Sequence, residues 1–313
     1  MNAPIEKGLA RWSFPIAVAL MIVWGVNFSV TKIILDQVPV GAMLFVRFLW
    51  MLLLGLGLLA IVYRGRIRES FPRRRDVPRF IAAGLIGHTA HVGLVTWGLH
   101  LSTPFSSSLV LTSGPLWTLL ILAALGAEKL RPPQVVGTVA AFFGILLFMS
   151  DKFASGVLRA GLGDLVLLLA AGLFALYTVV ARPLTSRYGA PVLLSYTLLV
   201  GAPPVLLFTL PAFLAEPWAA LPASLWLWMF YAVTISSFMG WLGWAWINQV
   251  RGIAKSAPLM YMMPPIAGLV SWVTLGEHFT WLKMLGALVT MAGVAWAQFA
   301  GGLRNTGAQA DSG

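Results

Sequence analysis

The sequence predicts an all-helical membrane protein whose ten transmembrane spans form two inverted-topology five-helix repeats. Three observations predict it. Charge is scarce, ten long apolar runs are separated by prolines and charges, and the second half repeats landmarks of the first.

Apolar types make up 59% of the 313 residues and charged types 10%, against about 25% charged in soluble domains. So few charges cannot cover a water-facing surface, so the solvent is lipid. The net charge of +11 does not point to nucleic acid, because the basic residues gather in one loop between apolar runs. Cysteine is absent, which excludes thiolate metal sites, Cys nucleophiles and disulfide scaffolds.

A bilayer core of about 30 Å takes roughly 20 apolar residues of helix. Ten runs meet that length: 14–35, 40–63, 79–100, 104–126, 132–150, 162–182, 190–214, 224–248, 256–275 and 281–301. Pro39, Pro78, Pro104, Pro132, Pro133 and Pro191 support the divisions. Each run is expected to be helical, since an open strand in lipid leaves backbone groups unpaired. The first is too long for a signal-peptide core and no small-residue cleavage site follows it, so it is read as a retained span.

Orientation follows from the basic residues. Of the 21 Lys and Arg, Lys152, Arg159 and Lys283 fall on one side and Lys32 and Arg47 lie within spans, leaving 16 on the other side. The positive-inside rule puts that side, and both termini, in the cytoplasm. The cell inner membrane is the expected location. The expected units are an N-terminal tail 1–13, a first repeat 14–150, a periplasmic connecting loop 151–161, a second repeat 162–301 and a disordered cytoplasmic tail 302–313.

A shift of 149 residues carries Trp97 onto Trp246, Pro115 onto Pro264, Glu128 onto Glu277, Gly137 onto Gly286 and Gly144 onto Gly293. A shift of 150 carries Trp24 onto Phe174, Asn27 onto Tyr177 and Lys32 onto Arg182. An odd number of spans per repeat forces the second copy to enter the membrane from the opposite side. That is the inverted-repeat plan of secondary transporters, with a substrate site near the midplane between the halves.

The residues that carry a family resemblance are Trp24-Gly25-Val26-Asn27-Phe28, Arg47-Phe48, Pro115 followed by Gly126-Ala127-Glu128-Lys129-Leu130, and Pro264 followed by Leu275-Gly276-Glu277. With these the chain resembles the EamA-type branch of the drug/metabolite transporter superfamily, and within it bacterial exporters of aromatic and neutral amino acids. The resemblance implies a cavity lined by spans one, three, four, six, eight and nine, flanked by two and seven. Spans five and ten are implied to pack away from it.

The residues themselves nominate that cavity. Ser237, Trp241, Trp244 and Asn248 share one face of the eighth span, and a lipid-facing stripe would not carry Ser and Asn. Trp24, Asn27 and Phe28 share a face of the first span, His88 and His91 a face of the third. Tyr177 is the repeat partner of Asn27, and Tyr261 stands before Pro264-Pro265. A histidine can meet a carboxylate or relay a proton. Pro115, Pro264 and Pro265 mark helix breaks of the kind that build transporter sites. Lys32 and Arg47 are the two charges within spans and are read as gating or structural groups.

All ten carboxylates, from Glu6 to Asp311, fall in loops, tails or helix ends. A membrane-buried acid for pumping cationic drugs is therefore lacking. No P-loop, paired carboxylates or HExxH pattern is present, so neither ATP hydrolysis nor enzymatic chemistry is expected, and no cofactor or metal. The reading is a secondary exporter of small zwitterions, aromatic and neutral amino acids foremost, acting as monomer or homodimer. Broad drug or toxin efflux is the alternative, a membrane-embedded enzyme a more distant one.

Overall fold

The computed structural model describes residues 11–126, 131–154, 158–252 and 256–299. Glu128 and Lys129 of the fourth-span loop, residues 1–10 and all of 302–313 lie outside the described residues. Among the described residues there is helix and no strand. Seven helices are long and apolar enough to cross a membrane, and two shorter apolar helices follow.

α1 is Ser13–Leu35 and α2 Val40–Val62. α3, Val77–Ala83, runs through a π-helical segment, Gly84–Val92, into α4, Gly93–Leu101. α5, Pro104–Leu111, and α6, Gly114–Ala124, are separated at Thr112 and Ser113. Pro115 sits in the first turn of α6, where its missing N–H costs nothing. α7 is Pro132–Ala154.

α8, Leu158–Ala215, is 58 residues of helix, broken at Gly189, whose φ of 76° is open to glycine at little steric cost. Each arm, 158–188 and 190–215, exceeds the roughly 20 residues a span needs. α9, Ala223–Phe230, passes through a second π segment, Tyr231–Met239, into α10, Gly240–Arg251. A 3-10 stretch, Ala257–Met262, precedes α11, Met263–Leu275, with Pro264 and Pro265 in its first turn. α12 is Trp281–Phe299.

α7 and α12 pack along their lengths. A Cβ on Gly137 would lie 2.5 Å from the Ala297 nitrogen, and one on Gly286 2.6 Å from that of Phe148. At Gly144 and Gly293 it would meet the backbone of Thr290 and Ala141. The helices touch backbone to backbone, the close approach that small residues allow in lipid. Elsewhere α2 lies along the second arm of α8, where the Ser195 hydroxyl donates to the Gly55 carbonyl at 2.8 Å. The outside is apolar: Leu207 and Phe208 are 71% and 82% exposed. In water that band would be an aggregation surface; in a bilayer it is solvated.

The two ends are tied differently. At one, Lys32 Nζ donates to the His100 carbonyl at 3.0 Å and lies 3.7 Å from Asp36. The Ser102 hydroxyl donates to the Asp164 carboxylate nearby. At the other, Arg187 reaches both oxygens of Asp76, at 2.6 and 2.5 Å, and the Tyr188 hydroxyl donates to one of them at 2.6 Å.

Candidate functional site: two chambers around Trp241

Helix interruptions gather at the centre. Both π segments and the gap between α5 and α6 surround two cavities that share Phe174, Trp241 and Met260 in their walls. The larger, a vestibule of about 730 Å³, extends along Tyr177, Trp244 and Asn248 to the helix ends at Ser186 and Gly252. The smaller, of about 110 Å³, is an inner chamber walled by Trp24, Asn27, Phe28, Arg47, His91 and Ser237, among others.

Trp241 is the hub. Its ring lies 4.7 Å from His88, 5.1 Å from Tyr177, 5.8 Å from Phe174 and 6.1 Å from His91, centroid to centroid. Such tilted and edge-on pairs are worth about 0.5–1.5 kcal/mol each beyond burial. Trp244 packs on Trp24 at 5.6 Å, and the Trp24 indole N–H donates to the Ser236 carbonyl at 2.9 Å. That bond ties α1 to the second π segment. An i→i+5 helix leaves some carbonyls misaligned for its own N–H groups, and such segments recur at functional sites.

The two histidines part company. His91 lines the inner chamber, and its Nδ1–H donates to the Ala170 carbonyl at 2.8 Å, so Nε2 is the acceptor. His88 is fully buried, lines neither cavity and pairs through Nε2 with the Thr197 hydroxyl at 3.0 Å. The π segment separates their directions where a regular helix would align them.

Arg47 reaches the inner chamber from α2, the span that the family resemblance places at the cavity's side. Its guanidinium donates to the Thr96 hydroxyl at 3.3 Å and the Ser237 hydroxyl at 2.7 Å. Lys32 lies away from both chambers, at the tied end. Pro115 lines the vestibule, while Pro264 and Pro265 line neither cavity and start α11.

Tyr261, nominated by its place before Pro264-Pro265, lines neither chamber. The 3-10 stretch turns its ring onto Leu116, Ala141 and Val294, and its hydroxyl reaches the Val294 carbonyl at 3.4 Å. Sequence reasoning also passed over wall residues. Phe174, Thr178, Arg182 and Thr185 line the vestibule on the face of Tyr177. Their successive spacings of four, four and three residues were the available signal. Met260 carries none.

Two buried amide oxygens in these walls, Asn27 Oδ1 and Asn248 Oδ1, have no hydrogen-bond partner among the described residues. No Asp or Glu among the described residues lines either chamber. Among the described residues no group of three or more His, Cys, Asp or Glu is placed to hold a metal ion. The arrangement can therefore bind and orient a small molecule between aromatic faces, neutral polar groups and the cationic Arg47 and Arg182.

The EamA-like transporter family matches residues 11–150 and 161–298. A protein described as "Probable terminal-alkyne amino-acid exporter", from Streptantibioticus cattleyicolor, is 27% identical over 71% of this chain and 73% of its own. One described as "Probable amino-acid metabolite efflux pump", from Escherichia coli, is 24% identical over 91% of this chain and 94% of its own. A crystal structure aligns with a TM-score of 0.64 at 19% identity, covering 93% of this chain and 98% of the other. That likeness concerns the fold.

Proposed function

The chain belongs to the EamA-like transporter family, and from that premise we propose that it exports small zwitterionic metabolites, aromatic and neutral amino acids foremost. In this reading it works as a secondary transporter, by alternating access around the two chambers. The observation that carries the reading is the vestibule wall. Tyr177, Trp241 and Trp244 offer apolar faces beside an unpaired amide oxygen of Asn248, with no carboxylate among the described residues that line it. Aromatic faces hold an apolar side chain, and unpaired polar groups, Asn248 in the vestibule and Asn27 in the inner chamber, replace hydration that the substrate's polar atoms lose.

Several features support the architecture this needs. The seven long helices, with α8 divided at Gly189 and the two shorter apolar helices added, agree in number with the ten spans this reading needs. The family matches twice along the chain, in segments of similar length. The two π segments occupy corresponding places in the two halves. The 16 basic residues of one side support a reading in which the vestibule's open end, at Ser186 and Gly252, faces the cytoplasm. In the same reading the end tied through Lys32, His100 and Asp164 is the closed, periplasmic one, which corresponds to an inward-facing state. The two relatives' descriptions as amino-acid exporters or efflux pumps point to the same substrate class.

The test is exchange in liposomes holding the purified protein, preloaded with unlabelled amino acid. Labelled phenylalanine, tryptophan and leucine are expected to exchange saturably, and lysine and glutamate not. Trp241→Ala is expected to lower exchange at least about tenfold, equivalent to about 1.4 kcal/mol of lost binding. Movement of cationic dyes with no amino-acid exchange would replace this reading with drug efflux.

A further inference from the structure

We propose that Arg47 is the carboxylate anchor of the transport site. Its guanidinium takes the substrate's carboxylate in the inner chamber, while the substrate's side chain lies past Trp241 in the vestibule. The proposal rests on the exporter reading and gives it a polarity: head group inward from Trp241, side chain toward the cytoplasmic opening.

The charge state starts the argument. An arginine side chain is protonated in proteins, and a charge at membrane depth is costly unless something answers it. Arg47 is 8% exposed. Among the described residues no carboxylate stands at ion-pair distance from it. Among the described residues only neutral hydroxyls meet its N–H groups, and its Nε has no partner. Arg187 is the internal contrast. It holds the carboxylate of Asp76 through both oxygens, as a structural arginine does.

The two hydroxyls are themselves fixed. Ser237 donates to the Ala232 carbonyl at 2.7 Å and Thr96 to the Val92 carbonyl at 2.9 Å, so each can only accept from Arg47. They hold the guanidinium in place without neutralising it. An oriented fork of donors with spare N–H groups is what a carboxylate binds bidentately.

The dimensions set the pose. At about 110 Å³ the inner chamber is smaller than the roughly 300–1,000 Å³ of pockets that enclose a whole drug-sized ligand. It takes a head group. The vestibule, at about 730 Å³, takes a side chain as large as indole, and Phe174 and Trp241 line both spaces. The unpaired Oδ1 of Asn27 shares the inner chamber and accepts from the substrate's ammonium.

Two measurements on the purified full chain test this. In detergent, thermal unfolding is followed with 3-phenylpropionate, phenethylamine, or chloride and phosphate at matched ionic strength. 3-Phenylpropionate is expected to raise Tm and phenethylamine not. The rise is expected to vanish in Arg47→Gln and to return in part in Arg47→Lys. An equal rise with chloride or phosphate would assign the site to an inorganic anion and overturn the proposal.

In liposomes, Arg47→Gln is expected to raise the KM for phenylalanine at least about tenfold and to abolish inhibition by 3-phenylpropionate. An unchanged KM and unchanged inhibition would remove the anchor and leave the exporter standing. No amino-acid exchange by the parent protein, with the Tm response intact, would keep the anchor and remove the exporter. If Arg47→Gln does not fold, Ser237→Ala is read in its place. It frees the guanidinium from its shorter bond and is expected to raise the KM about threefold; no change there overturns the proposal.

Discussion

The α7–α12 seam and the Trp241 centre are made by one chain in one solvent, yet they are built in opposite ways. The seam is two unbroken helices, 132–154 and 281–299, in backbone contact through Gly137, Gly144, Gly286 and Gly293. The Thr290 hydroxyl there turns back on its own helix, to the Gly286 carbonyl at 2.8 Å. The centre consists of helices that are widened at 84–92 and 231–239 and interrupted at 112–113. Its walls keep Asn27, Asn248 and Arg47 with unpaired polar atoms. Lipid offers helices no hydrophobic reason to associate, so firm packing comes from close approach. A site comes from withholding that packing and leaving polar groups unanswered. The seam is therefore expected to tolerate no added volume, and the centre no lost volume.

The largest effect is expected at the seam. Gly144→Ala places a Cβ against the Thr290 backbone, which cannot yield as a side-chain tip can. Overpacking of this kind costs about 1–3 kcal/mol, read as a lower thermal midpoint in detergent. Gly93→Ala is the control, because a Cβ there would meet nothing within 4 Å. Alanine in a helix is favoured over glycine by about 0.5–1 kcal/mol, so this variant is expected to be slightly more stable. Equal losses at both positions would mean the seam is no tighter than the rest.

The next effect is at the centre. Phe174 touches Trp241 edge-on at 5.8 Å and His91 at 5.0 Å, and it stands where the two chambers meet. Phe174→Ala removes these two contacts and the stacking on Tyr177 at 6.3 Å, each worth about 0.5–1.5 kcal/mol. The expected result is a KM for phenylalanine raised about threefold to tenfold. A changed Tm with unchanged KM would make Phe174 a packing residue and shift the site toward Trp244.

What was legible in the sequence follows the same division. Breaks and close contacts leave marks in residue type. Pro115 and Pro264 do begin new helical segments, and the glycines at 137, 144, 286 and 293 meet in one seam. Polar residues in an apolar span are also visible, which is how Asn27, Ser237 and Asn248 could be nominated; all three line a chamber. Apolar wall residues are harder to see: Phe174 shows only through its spacing from the polar Thr178 and Arg182, and Met260 looks the same facing lipid or substrate. Nor does residue type announce a change of helical pitch. The π segment turns His88 toward Thr197 and leaves His91 at the chamber, and the 3-10 stretch turns Tyr261 toward α12. Counting by threes and fours fails where the backbone stops keeping that period.

Tyr261 gives the smallest and sharpest test of the boundary between the two regions. Its ring belongs to the cluster of Leu116, Ala141, Val294 and Ala297 beside the seam, and the bond to Val294 is long, at 3.4 Å. Tyr261→Phe keeps the ring and removes the hydroxyl. A net hydrogen bond is worth about 0.5–1.5 kcal/mol at good geometry, so a loss at the low end, about 0.5 kcal/mol, is expected in thermal unfolding. The KM for phenylalanine should stay within about twofold of the parent value. A tenfold rise instead would mean that the 3-10 stretch rotates during transport and brings the hydroxyl to the substrate. The boundary between scaffold and site would then belong to one conformation, and the segment 257–262 would be a moving part.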